Sequence, residues 1–458
     1  MRTSAHPKSK KILFVSYHYP PDNQIGAKRI SRLARFLRDQ GWIVGVLTVD
    51  ARYYEKHDAT IQTYECEIIR TRMFKNARLM LAWMKRVVRR IRNGLCSRRI
   101  SEACSNDSAT AIAIQPSNVD SIVTKLKHAV FSILWCPDDK QGWIPFGAMN
   151  LLRNSRRYGL CYSSGPPHST HLIPLIVVLF CRKMKWVAEF RDPWCSNPQP
   201  AYFSNRFTRW IEKVMENEVV KRCTHLISVT EDMSEDFRKR YPGLGFKMKT
   251  YSNGFDESEL IGHEIYEKPK LKELSFFHAG SLDYGRTPYP FLRAIKELVQ
   301  ERKIGADDIR VMFWGDCKVK GTHISGMIRE FGLEHIVHCD EHRPHAVCLK
   351  EMSRFDVLLL FNIDQPLQVP AKLYEYLLAR RNILSISTGG ITDRIIKQTR
   401  AGVSYAPENI DGIKRAIQEY LDDRRFRGDE GEIAKYNSHL IFNDLMQELD
   451  RLSNALSE

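Results

Sequence analysis

A short stretch near residue 370 brings together residue types that bind sugars and phosphates. Lys372 and Glu375 lie on a short predicted helix. Gly389 and Gly390 follow the next buried-strand pattern and precede another helical pattern that contains Thr392. A carboxylate on a fixed helix can accept two hydrogen bonds from a ribose diol, a lysine can neutralise phosphate, and glycines before a helix let backbone N–H groups approach an anion. The stretch therefore predicts a nucleotide-sugar site.

The elements that must position these residues alternate between apolar, β-branched runs and helical patterns. The predicted strands are 11–17, 42–49, 66–71, 159–164, 186–192 and 225–230 in the first half, and 274–279, 309–315, 335–339, 356–362, 382–387 and 402–406 in the second. Near-continuous hydrophobic strands with helices between them indicate parallel sheets that are covered on both faces. Two such sets predict an α/β protein with two Rossmann-like, doubly wound domains.

The length of 458 residues also favours two domains, because single cores stop growing well below that size. A change to turn-rich and then charged sequence places the break within 241–273. We predict one domain over 1–245, a second over 246–425, and a C-terminal helix within 426–458 that can cross back to the first domain. A cleft between the domains would face the carboxyl ends of both sheets, the usual ligand position in such folds.

The eleven cysteines are odd in number, scattered, and without a Cys-x-x-Cys pair, which favours a reducing cytosol over a disulfide scaffold. The apolar run near the start covers only 12–15, too short for a signal-peptide core. The longest apolar run, 172–181, is too short to span a bilayer. These features predict a cytoplasmic protein.

The formal charge of +16 is concentrated in one segment, 68–100, which has no acidic residue. Its basic residues are Arg70, Arg72, Lys75, Arg78, Lys85, Arg86, Arg89, Arg90, Arg92, Arg98 and Arg99. On a helical wheel, the apolar residues of 78–95 form one arc and the basic residues form the other. The segment predicts peripheral attachment to an anionic membrane surface at the inner face of the plasma membrane. A core-packed helix with a solvated basic face and a nucleic-acid module are the alternatives, and the clustered apolar arc disfavours nucleic acid.

Several short motifs stand out in both halves of the chain. The second half carries Ala-Gly-Ser-Leu at 279–282, Ser-Arg-Phe-Asp-Val-Leu-Leu-Leu at 353–360, Pro-Ala-Lys-Leu-Tyr-Glu-Tyr at 370–376 and Gly-Gly at 389–390. The first half carries Ile-Leu-Phe-Val-Ser-Tyr-His-Tyr-Pro-Pro at 12–21, Ser-Ser-Gly-Pro-Pro-His at 163–168 and Glu-Phe-Arg-Asp-Pro-Trp at 189–194. Together these motifs resemble the GT-B glycosyltransferases, especially the retaining family 4-like group that assembles bacterial capsule, exopolysaccharide and lipopolysaccharide. Ser-Asn-Gly-Phe-Asp at 252–256 is similar to the interdomain signature of that group.

The resemblance implies roles for the donor side. Glu375 matches the second glutamate of the Glu-x7-Glu motif, which binds the donor ribose. The first glutamate is replaced by Leu367, so a role that depends on that carboxylate does not transfer. Gly280 and Arg286 correspond to the positions that meet the donor pyrophosphate, and Lys372 is a second cation for it. A surface glutamate and a solvated loop arginine are the alternatives for Glu375 and Arg286.

On the acceptor side, His168 and Asp192 both follow predicted strands of the first sheet and are the candidate catalytic residues. A loop cap and a structural turn before Pro193 are the alternatives. Many relatives carry a histidine where this chain has Arg191. Gly26 follows the first strand and permits a tight turn with close backbone approach to a ligand.

No metal and no cofactor are predicted. The chain has no Asp-x-Asp, the carboxylate pair that holds divalent cations in the other large transferase fold. Two cations and a helix start can instead stabilise the departing diphosphate. Five residues mimic the ligands of a zinc site: His335, His338, Cys339, His342 and His345. Their segment passes from a predicted strand into a loop, so their side chains need not converge on one point. The resemblance places this loop near the nucleotide base.

The sequence thus predicts a glycosyltransferase that moves a sugar from a nucleotide-sugar donor to a hydroxyl of a lipid-linked glycan. The resemblance implies retention of configuration, with a donor phosphate oxygen taking the acceptor proton. A GT-B epimerase or hydrolase and a non-catalytic scaffold are the alternatives, the latter encouraged by Leu367.

Overall fold

The computed structural model describes residues 10–22, 24–55, 66–74, 136–181, 183–197, 205–260, 272–282, 286–305, 307–319, 321–341 and 343–455. The described chain divides into two compact units. The first contains the residues up to Ile227, Phe246–Met248, and those from Leu449 onwards, and the second contains Ser228–Gly245 and Lys249–Glu448. The predicted basic segment lies outside the described residues from position 75 onwards.

The first sheet has seven strands in the order β3-β2-β1-β4-β5-β6-β7. They are β1 (Lys11–Ser16), β2 (Ile43–Val49), β3 (Glu67–Thr71), β4 (Leu160–Gly165), β5 (Lys185–Phe190), β6 (His225–Ser228) and β7 (Met248–Thr250). The first five pair in parallel. The connecting helices are α1 (Ile25–Asp39), α2 (Ile144–Asn154), α3 (Ser169–Phe180), α4 (Arg206–Arg222) and α5 (Glu231–Arg240). The central strands β1 and β4 are almost entirely buried, as their continuous apolar runs require.

The second sheet has six strands in the order β12-β9-β8-β13-β14-β15. They are β8 (Leu274–Ala279), β9 (Ile309–Trp314), β12 (Val337–Asp340), β13 (Val357–Asn362), β14 (Asn382–Ser387) and β15 (Gly402–Tyr405). A short antiparallel hairpin joins β10 (Lys318–Val319) to β11 (Thr322–His323). The helices are α6 (Tyr289–Gln300), α7 (Ser325–Phe331), α8 (His345–Met352), α9 (Ala371–Ala379), α10 (Ile391–Thr399), α11 (Ile410–Asp422), α12 (Glu430–Ala434) and α13 (Ser438–Asn454).

Alternate residues of the second sheet enter two separate cores. Phe276 and Leu359 belong to a core that α6 and α11 cover. Phe277 and Leu358 belong to another, which α8, α9 and α10 cover. Because successive side chains of a strand point to opposite faces, the sheet is buried on both sides. The carboxyl ends of its strands are therefore the edge at which polar side chains remain accessible.

None of the helices in the described part of the chain is both long enough and apolar enough to cross a bilayer.

Candidate active site

Glu375 on α9 forms the centre of a polar cluster in the second unit. Its Oε2 accepts a hydrogen bond from Lys372 Nζ at 2.7 Å, and its Oε1 lies 2.8 Å from His345 Nε2. All three side chains are only partly exposed. Lys372 meets Glu375 because one helical turn separates them, whereas His345 arrives from the start of α8. The sequence analysis did not predict this contact between His345 and Glu375.

The histidines and cysteine within 335–345 that mimic a zinc site cannot all be located, because His342 lies outside the described residues. Among the residues that the structure describes, no three histidine, cysteine or acidic side chains are grouped in a way that could hold a metal ion.

Gly280 and Arg286 lie close to this cluster. A Cβ atom added to Gly280 would lie 3.4 Å from His278 Nε2 and 3.8 Å from Lys372 Cε. His278 is buried and donates its Nδ1–H to the Leu359 carbonyl at 2.9 Å. Burial and then the charges of Lys372 and Arg286 lower the pKa of His278 to about 4, although the hydrogen bond to Leu359 acts in the opposite direction. The structure therefore brings the predicted residues Gly280, Lys372 and Glu375 to the carboxyl end of β8, and Arg286 lies near enough to His278 for its charge to act on that ring.

Gly389 and Gly390 form the turn from β14 into α10. Their φ angles are +97° and +109°, which side chains other than glycine rarely adopt. A Cβ atom on Gly390 would also lie only 2.5 Å from the Pro366 carbonyl oxygen. The glycines thus let the preceding loop approach the first turn of α10, whose N–H groups and dipole favour an anion.

Thr392 contributes its side chain to the protein interior. It is fully buried, its hydroxyl donates to the Gln368 carbonyl at 3.3 Å, and it accepts a hydrogen bond from Asn362 Nδ2 at 3.0 Å. The hydroxyl therefore holds together the 363–370 loop and the end of β13. Leu367 lies in the same loop, where its carbonyl accepts a hydrogen bond from the Thr230 hydroxyl at 3.0 Å.

In the first unit, Glu189 is a fully buried carboxylate with three partners. Arg29 Nε donates to it at 2.8 Å, and the hydroxyls of Tyr162 and Ser164 donate at 2.7 Å each. Burial alone would raise the pKa of Glu189, but the Arg29 charge and the two hydroxyls outweigh that effect and lower it. This network ties together the ends of β4 and β5, after which the predicted site residues His168 and Asp192 follow.

The Arg191 guanidinium occupies the space beside Gly26. A Cβ atom on Gly26 would lie 2.2 Å from Arg191 Nη1. The Arg191 backbone N–H donates to the Gly165 carbonyl at 2.8 Å, and its Nη2 donates to the Pro166 carbonyl. Burial lowers the pKa of Arg191, and the charge of neighbouring Asp192 acts in the opposite direction.

His168 lies near Arg191 and stacks on Trp194. The two ring centroids are 4.8 Å apart and the planes differ by 1°. Burial and then the Arg191 charge lower the pKa of His168 to about 3, so its ring is neutral at pH 7. His168, Arg191 and Asp192 thus follow β4 and β5 at the same edge of the sheet.

A second histidine in this unit was not predicted. His18 Nδ1 lies 2.6 Å from Asp22 Oδ2 in the loop between β1 and α1. Burial lowers the pKa of His18, Asp22 opposes this effect, and the charges of Arg191 and Lys140 lower the pKa further. The sequence signal for this pair is a histidine and an aspartate four residues apart after a buried strand, which is weak alone.

No protein-family model matches this sequence, and no curated protein matches it. Its structure is similar to sucrose-phosphate synthase from Thermosynechococcus elongatus, with a TM-score of 0.61 and 14% identity over 97% of this chain and 100% of that chain. It is similar to Anabaena Alr3699/HepE in complex with UDP and glucose, with a TM-score of 0.60 and 12% identity over 96% of this chain and 100% of that one. The lipopolysaccharide outer core galactosyltransferase WaaB in its apo form has a TM-score of 0.57 and 11% identity, over 95% of this chain and 98% of that chain.

At these identities the similarity shows the fold, and the predicted GT-B architecture of two parallel-sheet α/β domains is confirmed.

Proposed function

We propose that the protein is a glycosyltransferase that uses a nucleoside-diphosphate sugar. The observation that carries this proposal is the cluster of Glu375, Lys372 and His345 beside Gly280 and Arg286. It lies at the strand edge where doubly wound folds bind ligands. Similar folds have been solved with such ligands: HepE with UDP-glucose, and a TarM variant with UDP.

Each residue of the cluster has a distinct role in this proposal. Glu375 accepts hydrogen bonds from the ribose diol, and Lys372 and Arg286 neutralise the diphosphate. The turn at Gly389 and Gly390 presents the start of α10 to the same anion. Positive charge placed where the diphosphate leaves favours bond cleavage, so we propose that transfer needs no metal ion.

The first unit then supplies the acceptor site. His168, Arg191 and Asp192 follow the ends of β4 and β5, where an acceptor hydroxyl can be held. We propose a glycan acceptor carried on a lipid, and a place in bacterial surface polysaccharide assembly. Hexosyl or related glycosyl transfer with retention of configuration is what the family resemblance predicts, and the anomeric configuration of the product tests it.

Exposed apolar side chains in the first unit support the proposal of a lipid-linked acceptor. Phe180 at the end of α3 is 76% exposed, and Phe207 and Trp210 on α4 are 56% and 60% exposed. Helices α3 and α4 pack together, and the Phe207 and Trp210 rings stack at 6.1 Å. The same helix carries exposed Arg206, Arg209 and Lys213. Aromatic and basic side chains together suit an anionic lipid surface, as proposed for segment 68–100.

A flotation experiment with phosphatidylglycerol vesicles tests this surface. Replacing Phe180 and Trp210 by serine should lower the bound fraction, and so should neutralising Lys85, Arg86, Arg89, Arg90 and Arg92. Equal binding by all variants would contradict peripheral membrane attachment.

A thermal-shift screen of nucleotide sugars tests the donor assignment, because a ligand that binds only the folded state raises the unfolding temperature. The expected result is stabilisation by one nucleoside-diphosphate sugar and release of its diphosphate when an acceptor is added. Product without an acceptor would instead favour an epimerase or hydrolase. No nucleotide binding at all would favour a scaffold, the reading that Leu367 supports.

A further inference from the structure

His278, near the end of β8, has a buried ring nitrogen that makes no hydrogen bond. The residue is 3% exposed, and the ring centres of Phe313 and Phe361 lie 6.0 Å and 5.2 Å from its own. Its Nδ1 lies 2.9 Å from the Leu359 carbonyl oxygen. In the described part of the chain, its Nε2 has no hydrogen-bond partner. An apolar ring would fill this space without burying an unsatisfied nitrogen, so packing alone does not explain a histidine here.

The hydrogen bond to Leu359 determines what the second nitrogen of His278 can do. A carbonyl oxygen only accepts hydrogen bonds, so Nδ1 carries the proton and Nε2 keeps its lone pair. Burial and then the charges of Lys372 and Arg286 lower the pKa of the ring to about 4, although the Leu359 contact acts in the opposite direction. At pH 7 the ring is therefore neutral, and its Nε2 is an acceptor that lacks a donor.

The Lys372 side chain lies beside this nitrogen, in the same compact unit. A Cβ atom added to Gly280 would lie 3.4 Å from His278 Nε2 and 3.8 Å from Lys372 Cε, so both atoms border the space that this glycine leaves open. The ammonium is bonded directly to Cε, and it lies 2.7 Å from Glu375 Oε2. A lysine ammonium has three N–H donors at the end of a flexible side chain. Rotation of that side chain can therefore turn the ammonium from Glu375 towards His278.

A nucleoside diphosphate gives Lys372 a reason to turn. In the proposed function, the ribose diol binds Glu375 and the diphosphate lies against Gly280. Glu375 keeps its contact with His345 at 2.8 Å, so it does not lose both of its partners. The anion attracts the ammonium towards Gly280, where one N–H can point at a phosphate oxygen and another at His278 Nε2.

We propose that His278 positions Lys372 in the donor complex: the lysine leaves Glu375, and its ammonium donates to His278 Nε2 and to the diphosphate together. This inference rests on the proposed function. His278 is a positioning residue, because it acts on the ligand through the lysine. A neutral ring holds the ammonium without cancelling its charge, whereas the Glu375 carboxylate cancels it. The full positive charge then remains available to the departing diphosphate.

A double-variant cycle with UDP as the probe tests this contact. The variants are His278→Phe, which keeps an aromatic ring but has no lone pair, Lys372→Met, which has no ammonium, and the two changes combined. In calorimetric titration, His278→Phe should raise the Kd for UDP roughly 10–100-fold, the range for losing a hydrogen bond to a charged group. In the Lys372→Met background, the same change should alter the Kd by less than about twofold.

Tyr376→Phe is the matched control, because the Tyr376 hydroxyl donates to the same Leu359 carbonyl at 3.0 Å. Both changes take one donor from that carbonyl, but only His278→Phe removes Nε2. The control should bind UDP as the wild type does. His278→Phe should lower the unfolding temperature no more than the control does, because it also removes the unsatisfied nitrogen. A loss of stability and of UDP affinity by the same amount in both lysine backgrounds would show a structural role and overturn the inference.

The ¹⁵N resonances of the His278 ring give a readout that leaves position 278 unchanged. UDP should shift the Nε2 resonance to that of a hydrogen-bonded lone pair while Nδ1 keeps its proton, and Lys372→Met should abolish the shift. A protonated Nε2 in the complex, or no shift in the wild type, contradicts the inference. If the wild type binds no UDP, the proposed function fails and this inference fails with it. If the wild type binds UDP and His278→Phe binds it equally well, only this inference fails.

Discussion

The Arg191 guanidinium fills the space beside Gly26, where a Cβ atom would lie 2.2 Å from Arg191 Nη1. The glycine leaves room for this half-buried cation, whose charge adds to the effect of burial in lowering the pKa of His18 and of His168. Two residues 165 positions apart along the chain are thus packed against each other in the first unit.

Replacing Gly26 by alanine should displace Arg191 and lower the free energy of unfolding by about 1–3 kcal/mol, the usual cost of overpacking. Chemical denaturation measures this as a lower midpoint with an unchanged slope. In the double variant with Arg191→Ala, the loss of unfolding free energy should be smaller than the sum of the losses in the two single variants, because the added methyl group then has room. Full additivity would show that the two side chains do not compete for space.

Glu375→Ala should weaken UDP binding by roughly 10–100-fold, which corresponds to losing a hydrogen bond to a charged group. Part of the loss will be offset because Lys372, no longer paired with Glu375, can turn fully toward phosphate. Calorimetric titration with UDP measures the change, and the unfolding temperature should shift little. Glu419→Ala, at an exposed position on α11, is the matched control and should bind UDP as the wild type does. Unaltered UDP affinity of Glu375→Ala would remove Glu375 from the site.

Gly390→Ala should destabilise the protein by about 1–3 kcal/mol or more, since it combines a strained φ with a clash. Its Cβ atom would lie 2.5 Å from the Pro366 carbonyl oxygen. Gly326→Ala is the matched control, because nothing lies within 4 Å of its added Cβ and the position is inside α7. The control should be neutral or stabilising by up to about 1 kcal/mol. Equal effects of the two changes would contradict the geometry of the turn.

Acid should destabilise the fold in part through His278. Its pKa is about 4 in the folded protein against 6.5 in the unfolded chain. Above pH 6.5 both states are neutral at this ring, and below it the unfolded state binds a proton that the folded state does not. This residue therefore reduces stability by about 1.4 kcal/mol per pH unit as pH falls from 6.5 to 4, and little further below that.

His278→Gln should remove that share of the pH dependence, whatever its effect on stability at pH 7. The measurement is the free energy of unfolding of both proteins between pH 4 and 8. Parallel curves for the wild type and His278→Gln would show that the ring titrates in the folded state near its ordinary pKa.

The strands were predictable from the sequence because they are continuous apolar runs. The run at 382–387 coincides with β14, whereas the predicted 225–230 extends two residues past β6, since Val229 and Thr230 are buried after the ladder has ended. The hairpin of β10 and β11 was missed because two-residue strands have no period to detect. Strand β7 is three residues long and was missed for the same reason.

The candidate site was predictable only where its contacts are local. Lys372 and Glu375 are one helical turn apart, so their proximity was visible in the sequence. His345 is 30 residues from Glu375, and Arg29 is 160 residues from Glu189. Such pairs depend on how helices and strands pack, and no local pattern encodes that distance. The contact between Arg191 and Gly26 is of the same kind, because the two residues are distant in sequence and meet only in the folded protein.

In the proposed function, the ion pair between Lys372 and Glu375 would make donor binding depend on two groups of the ligand at once. Each of the two groups is now the partner of the other, at 2.7 Å. A ligand with only a diol would separate Glu375 from Lys372 and leave Lys372 without an anion. Pyrophosphate alone would draw Lys372 away and leave Glu375 without that cation. A nucleoside diphosphate satisfies both groups in one exchange. Uridine and pyrophosphate should therefore each bind far more weakly than UDP. The binding free energy of UDP should also exceed the sum of their two separate binding free energies.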